Sequence, residues 1–340
     1  MALRIDTEGL LSTWRSLCGT ASGAKGWSTI PFFSDGAVRV LAGRHFPGDE
    51  EGLLFALPPK YSISPSQLPQ GRGFLVSIVE LRSNAGPVIW ITLSRRSTGS
   101  LDIFAMMCVD LIANVRLHIA VSEDRRIQRF VARVRAWQDF MQSGAPILLG
   151  PDAEVGLFGE LTFLQQLLSS GLDAFFVVDC WKGPLDGVQD FVFTRGGIEV
   201  KTTASSVGFS AVIGSLDQLD DSLRNPLFLC AIRLRVEPGG QSLRMKVEEV
   251  RELFDADTAA HEMLDTKLFK AGYLDVSSEH YNRTFEFAGV HIYRVDKDFP
   301  CLTSGRVPSQ IKRATYLLEL DQVVQESMTL SSALKEMRIY

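Results

Sequence analysis

Gln189-Asp190-Phe191-Val192-Phe193-Thr194-Arg195-Gly196-Gly197-Ile198-Glu199-Val200-Lys201-Thr202 places an acid, a turn signal and a Glu-x-Lys triplet in one short run. Gly196-Gly197 reads as a two-residue hairpin turn, since both central residues of a type I′ turn need φ > 0. Folding there sets Phe193 against Val200, Val192 against Lys201 and Thr194 against Glu199. Side chains alternate across a strand. One face then carries Phe191, Phe193, Ile198 and Val200, and the other Asp190, Glu199 and Lys201. A single element buries apolar residues and gathers two carboxylates and an ammonium on one surface. In this register Asp190 lies opposite Thr203, and a register two residues different sets it opposite Lys201. A bend or bulge is therefore expected near Asp190, a common device beside active sites. The bland reading of the same pattern is an amphipathic hairpin with a solvated polar face.

A third carboxylate comes from Glu160, on a helix expected over 152–169. Its neighbours one turn away are Gly156, Leu157, Phe163 and Leu164, with Leu167 beyond, none of them polar. An ionised group enclosed by apolar side chains must be paired, metal-bound or protonated, because even a neutral polar group left unpaired costs about 2–7 kcal/mol. A helix packed on the hairpin could aim Glu160 toward Asp190 and Glu199. The alternative is a boundary glutamate that reaches water.

Outward from this centre, the spacing predicts a short strand over 174–178, strands over 188–194 and 198–203, a helix over 216–223 and a strand over 227–236, an α-β-β-β-α-β order. Helices near 247–255 and 259–270, strands near 284–295 and 314–320 and a helical stretch within 321–337 follow. Upstream, a helix over 6–18 precedes strand-like runs at 37–42, 53–57, 74–81 and 88–93. These are separated by turn clusters such as Pro58-Pro59, Pro69-Gln70-Gly71 and Asn84-Ala85-Gly86-Pro87, and a helix over 101–117 follows. The fold class is thus α+β/α/β. Its parts are an N-terminal α+β domain (1–120), a connecting helix (121–143), a mixed-sheet core (144–240) and a C-terminal α/β extension packing on the core (241–340). The connecting helix carries Arg126, Arg129 and Arg133 on one face. They suit either phosphate contact or a solvated helix whose arginines pair with acids. A Gly144-Ala145-Pro146 turn ends it.

Composition bounds the function. The 340 residues are 46% hydrophobic and 22% charged, ordinary for a globular protein with a full core. Five scattered cysteines with no Cys-x-x-Cys argue for neither a disulfide framework nor a zinc site, and a reducing cytoplasm fits. Asp6 and Glu8 interrupt any apolar signal core near Met1-Ala2-Leu3-Arg4. The greasiest helical stretch, Leu101 to Val115, contains Asp102 and Asp110 and is too short to span a bilayer. A net charge of −5 speaks against non-specific coating of nucleic acid but not against a local basic groove. His45 and His118 are isolated and read as structural or surface residues. Gly-x-Ser-x-Gly, P-loop and Gly-x-Gly-x-x-Gly motifs are absent, which removes the serine hydrolase, kinase and dehydrogenase readings.

The element order and the Glu…Asp…Glu-x-Lys constellation resemble the PD-(D/E)XK nuclease superfamily, with its restriction-endonuclease-like αβββαβ core. The local sequence resembles most the PD-(D/E)XK-motif proteins encoded near bacterial restriction and phage-defence genes. The likeness rests on Gly156-Leu157-Phe158-Gly159-Glu160-Leu161, Trp181-Lys182-Gly183-Pro184, Asp190-Phe191 and Ile198-Glu199-Val200-Lys201-Thr202-Thr203, within residues 152–203. Gln189 stands where the superfamily name has Pro. Carried over by position, the resemblance implies that Glu160, Asp190 and Glu199 bind Mg²⁺, or Mn²⁺, and that Lys201 assists the attacking water. Asp186, in a Gly-rich loop, is a rival acid ranked below Asp190. Gln218 falls where related nucleases sometimes place a polar helper; otherwise it is an exposed helix residue.

The implied activity is metal-dependent cleavage of DNA phosphodiesters in bacterial restriction or phage defence. Mg²⁺ prefers carboxylate and water oxygens. Without a P-loop, any ATP-driven motion would come from a partner, an ATPase or methyltransferase subunit being the expected kind. Double-strand cutting would call for a homodimer or a second turnover. The competing readings are a non-catalytic subunit that senses nucleic acid or scaffolds a defence complex, and a hydrolase or nickase acting on RNA or branched DNA. No membrane association is expected.

Overall fold

The computed structural model describes residues 5–18, 25–36, 38–58, 64, 68–83, 86–117, 122–144 and 146–339. Met1 to Arg4, Ala37, Pro59, Asn84, Ala85, His118, Ala145 and position 121, which figure in the expectations above, lie outside these residues. The chain divides into two compact units, Met1–Ile147 and Leu148–Tyr340. Among the described residues no helix is long and apolar enough to cross a membrane.

Among the described residues the first unit is an antiparallel five-stranded sheet with three helices. α1 (Thr7–Ser16) starts at Asp6, whose carboxylate accepts the Gly9 amide at 2.7 Å. The strands β1 (Gly26–Asp35), β2 (Val38–Phe46), β3 (Glu50–Ala56), β4 (Phe74–Ser83) and β5 (Gly86–Arg95) lie in the order β1-β2-β3-β5-β4. β1 has no counterpart in the sequence reading. Pro31 interrupts its pattern, and the strand tolerates Pro because it is an edge strand whose register shifts between Pro31 and Phe33. α2 (Leu101–Leu117) and α3 (Glu123–Ser143) follow, α3 ending on Gly144 in the left-handed region (φ 68°). His45 sits near the surface, 3.3 Å from Glu50.

The second unit is built on a mixed sheet of order β10-β9-β7-β6. α4 (Pro151–Ser169) and α5 (Ala174–Cys180) precede β6 (Phe191–Val192), β7 (Gly197–Thr203), β8 (Ser210–Ile213) and β9 (Leu227–Ser242). α6 (Leu243–Leu253), α7 (Thr258–Lys270), β10 (Thr284–Val295), β11 (Tyr316–Glu319) and α8 (Leu330–Glu336) complete it. β7 runs parallel to β9, while β6 pairs antiparallel with β7 and β10 antiparallel with β9. The main core includes Leu161, Phe163, Phe191, Ile198, Val200 and Phe228. A second core, with Leu227, Leu229, Phe209 and Ile213, lies under the antiparallel β8–β11 ribbon. The C-terminal stretch thus supplies β10 to the central sheet itself.

Two elements of the expected αβββαβ order are different. Residues 174–178 are helical, not a strand. Their β-branched and aromatic composition is overridden by Asp173, whose carboxylate caps the Phe176 amide at 2.9 Å. Residues 216–223 form turns, not a helix. Gln218 Oε1 accepts the Gly214 amide at 2.7 Å, and Asp220 Oδ1 accepts from the Ser222 amide and hydroxyl. Such local bonds compete with helical ones. The strand expected over 188–194 is reduced to Phe191–Val192.

The hairpin also folds in another register. Phe191 pairs with Ile198 and Val192 with Gly197, so its tip is Thr194-Arg195. Gly196, at φ +92°, is required for close packing: a Cβ there would lie 2.5 Å from the Pro226 carbonyl oxygen. The shift is even, so the apolar and charged faces are those expected.

Candidate active site

β7 buries Ile198 and Val200 in the main core, so alternation turns Glu199 and Lys201 to the opposite face. One step beyond the Phe191–Ile198 pair, Asp190 comes level with Glu199 and needs no bulge. Its position is fixed twice. Asp190 Oδ2 accepts the Val200 amide at 2.8 Å, and its carbonyl oxygen accepts the Lys182 and Gly183 amides at 2.6 and 3.0 Å. Glu160, on α4, reaches the same place. A Cβ built on Gly183 would lie 2.7 Å from Asp190 Oδ1 and 3.0 Å from Glu160 Oε2, so the two carboxylates border one small space that only glycine leaves open. Trp181 donates its indole N–H to Glu160 Oε2 at 2.7 Å.

The electrostatics are those of a charge cluster removed from water. Burial, then Asp190, pushes the Glu199 carboxyl up to about 8, against the pull of Lys201, whose Nζ lies 2.8 Å from Glu199 Oε1. Burial, then Asp190, holds Glu160 well above the usual range, with the Trp181 bond opposing. Asp190 is raised by burial, with the Val200 amide and Lys201 opposing. Glu199 is only 1% exposed, and its Oε2 has no hydrogen-bond partner. A buried acceptor without a donor is costly.

These features fit a hard divalent cation: an orphaned carboxylate oxygen, a gap at Gly183 that a Cβ would fill, and an all-oxygen charged donor set. Asp190 and Glu199, with Glu160, are the residues that would hold it. Among the described residues no three His, Cys, Asp or Glu side chains are already grouped as a cage for a metal ion.

The other candidates are placed elsewhere. Gln218 turns its side chain to the Gly214 amide and acts as a loop brace instead of a helper in a helix. Asp186 is exposed, in the left-handed region at the end of the 3-10 turn Gly183–Leu185. In the first unit, Arg133 is bound to Asp110 by two bonds of 2.7 Å, so it is committed inside that unit. Arg126 and Arg129 are partly buried, Arg126 lining a cavity of about 150 Å³ with Phe55 and Phe130. Burial and the neighbouring Arg125 lower the Arg129 guanidinium.

Two contributors were not assigned a role from sequence. Trp181 is wholly buried, and a buried indole N–H needs an acceptor, which was the available signal. Gln189, 3% exposed, donates to the Asp217 and Gln218 carbonyls at 3.3 Å, tying the residue before Asp190 to the neighbouring loop.

No curated protein and no solved structure matches the chain. One family model does match, over residues 10–321, described as "Putative PD-(D/E)XK family member, (DUF4420)". That span takes in both units and every residue of the carboxylate–lysine cluster, and the chain belongs to this PD-(D/E)XK family.

Proposed function

We propose that the protein is a metal-dependent DNA endonuclease of a bacterial restriction or anti-phage system, working in the cytoplasm. The observation that carries this reading is the convergence of Asp190, Glu199 and Lys201 on one strand face, with Glu199 Oε2 buried and unpartnered. A bound Mg²⁺ or Mn²⁺ ion would supply Lewis acidity and a water of lowered pKa. Asp190, Glu199 and Glu160 would be its ligands. Lys201, more exposed than Glu199, is placed to orient an attacking water and offset phosphate charge. The Val200 amide keeps Asp190 oriented, and the Trp181 indole does so for Glu160. Partner ATPase or methyltransferase subunits and a homodimer belong to the same proposal.

A second reading is a non-catalytic subunit that senses nucleic acid. The Lys201–Glu199 contact favours it, because the Lys201 Nζ at 2.8 Å already occupies one would-be ligand oxygen. Plasmid, linear duplex, single-stranded DNA and RNA incubated with Mg²⁺, Mn²⁺ or EDTA separate the readings. Metal-dependent DNA cutting that is lost in Glu199→Gln and Lys201→Ala is the expected result. A folded protein that never cuts would leave a nuclease that needs its partner or a non-catalytic subunit, and direct metal binding at Asp190 and Glu199 separates these two.

A further inference from the structure

α7 carries a lysine in its apolar stripe: Ala260, Leu264, Lys267 and Leu268 fall on one buried face. Lys267 is 3% exposed and, among the described residues, its hydrogen bonds go to no carboxylate, the Asp179 side chain acting on it only through space. Its Nζ instead donates to the carbonyl oxygens of Val178 (2.5 Å), Asp179 (3.2 Å) and Trp181. These belong to the last turn of α5 and its C-cap, and the Val178 carbonyl also accepts the Trp181 amide at 3.2 Å. An ammonium has three donors, and here each has an acceptor.

A buried charge whose direct hydrogen-bond partners are all neutral is a costly way to stabilise a core, and replacing such groups by well-packed apolar ones is often neutral or favourable. The position of the three carbonyls suggests what else the lysine does. They end at the segment Trp181–Gly183, which meets two of the three site carboxylates. The Trp181 indole holds Glu160 Oε2, the Lys182 and Gly183 amides hold the Asp190 carbonyl, and Gly183 borders the space between both side chains.

We propose that Lys267 is a positioning residue for the carboxylate site: by clamping the end of α5 it fixes Trp181–Gly183, and through that segment the placement of Glu160 and Asp190. This rests on the reading of Glu160, Asp190 and Glu199 as metal ligands. Burial also pulls the Lys267 ammonium down to about 8, consistent with the enclosure that makes the contact rigid.

The test compares full-length wild type, Lys267→Met, Trp181→Phe and the double variant, read without requiring cleavage. In ¹⁵N-labelled protein the Trp181 indole N–H resonance is assigned by its loss in Trp181→Phe, and Mn²⁺ affinity is measured by calorimetry. Lys267→Met is expected to move that resonance while the other four indole signals stay. It should also weaken Mn²⁺ binding by about 10- to 100-fold, the usual effect of losing a residue behind a metal ligand. The double variant should lose no more than the weaker single variant, as expected for residues acting in series. If Lys267→Met does not fold, Lys267→Arg takes its place, since its larger planar head must displace the same carbonyls. An unmoved resonance, Mn²⁺ affinity unchanged in either folded single variant, losses that multiply, or a wild type that binds no Mn²⁺ would each overturn the proposal. If the wild type cuts DNA, kcat should fall in Lys267→Met with KM held. If it binds Mn²⁺ with the expected pattern but cuts nothing, cleavage by the isolated chain is excluded and the positioning role stands.

Discussion

Gly159 of α4 packs onto Thr202 of β7 with no room for a side chain: a Cβ built on Gly159 would lie 1.8 Å from Thr202 Oγ1 and 2.7 Å from its Cβ. This contact sets how closely α4 approaches the sheet, and the next residue is Glu160. Gly159→Ala must push the helix outward or displace Thr202. Overpacking of this kind costs about 1–3 kcal/mol. Denaturant unfolding of the second unit should show that loss, and Mn²⁺ binding should weaken with it. Thr202→Ala removes Oγ1 and Cγ2, so it should restore part of both in the double variant. Full stability in Gly159→Ala alone would show that α4 is not pinned at this point.

Gly196 makes a second close approach, beside the observed hairpin tip. Its φ of +92° excludes most side chains, and the nearest atom to an added Cβ is the Pro226 carbonyl oxygen, which is backbone and cannot swing away. Gly196→Ala should cost about 1–3 kcal/mol, the usual range for a strained backbone position. Thr194→Ala and Arg195→Ala, at the true tip, should melt within about 0.5 kcal/mol of wild type, as surface changes usually do. The reverse ranking would show that neither the φ of Gly196 nor its contact with the Pro226 carbonyl limits stability.

The strand faces were legible in the sequence because alternation survives any even change of register. Asp190, Glu199 and Lys201 share a face in both the expected and observed pairings. The register itself was not legible, because a glycine pair signals a turn equally well when one member serves a tertiary contact. α5 was hidden for a related reason. Phe175, Phe176, Val177 and Val178 favour a strand locally, and the groups that make them helical are the Asp173 cap and an ammonium from α7, 89 residues after Val178. The missing helix over 216–223 had its cause within reach. Asp217, Asp220, Asp221 and Ser222 are residue types that favour turns, and Asp220 and Ser222 bond to each other there. The partner of Arg133 lay beyond any helical spacing, 23 residues earlier in the chain.

That partner yields a stability prediction for the first unit. Asp110 is 3% exposed and accepts from Arg133 through both oxygens and from the Trp137 indole at 2.7 Å. Arg133→Met leaves a buried carboxylate with one neutral donor. Removing one member of a buried pair costs about 3–5 kcal/mol, so a marked drop in the unfolding midpoint is expected. The salt dependence of DNA affinity should be the same as in wild type, since Arg133 makes no phosphate contact in this arrangement. A stable variant with a shallower salt slope would return Arg133 to the nucleic-acid surface.

The last prediction concerns pH. In the folded chain the Glu199 carboxyl holds its proton up to about 8, while its ordinary value is 4.5. Between those values the folded state binds more protons than the unfolded one, so stability falls as pH rises through the window. Below it both states are protonated, above it both are ionised, and the slope attributable to Glu199 vanishes. Glu160 and Asp190 are displaced in the same direction, burial being the first cause in each, and add to the trend. The melting temperature of metal-free protein should therefore decline from about pH 5 to about pH 8, and Glu199→Gln should flatten the decline. A divalent ion needs the ionised carboxylates, so Mn²⁺ uptake should release protons and tighten with rising pH over the same window. Saturating Mn²⁺ should then flatten the melting profile as the variant does, by stabilising the charged cluster instead of removing a charge. A wild-type profile that is level or rising over this range, and unaltered by Glu199→Gln, would mean that Glu199 is already ionised in the folded chain and that its ion pair with Lys201 outweighs burial.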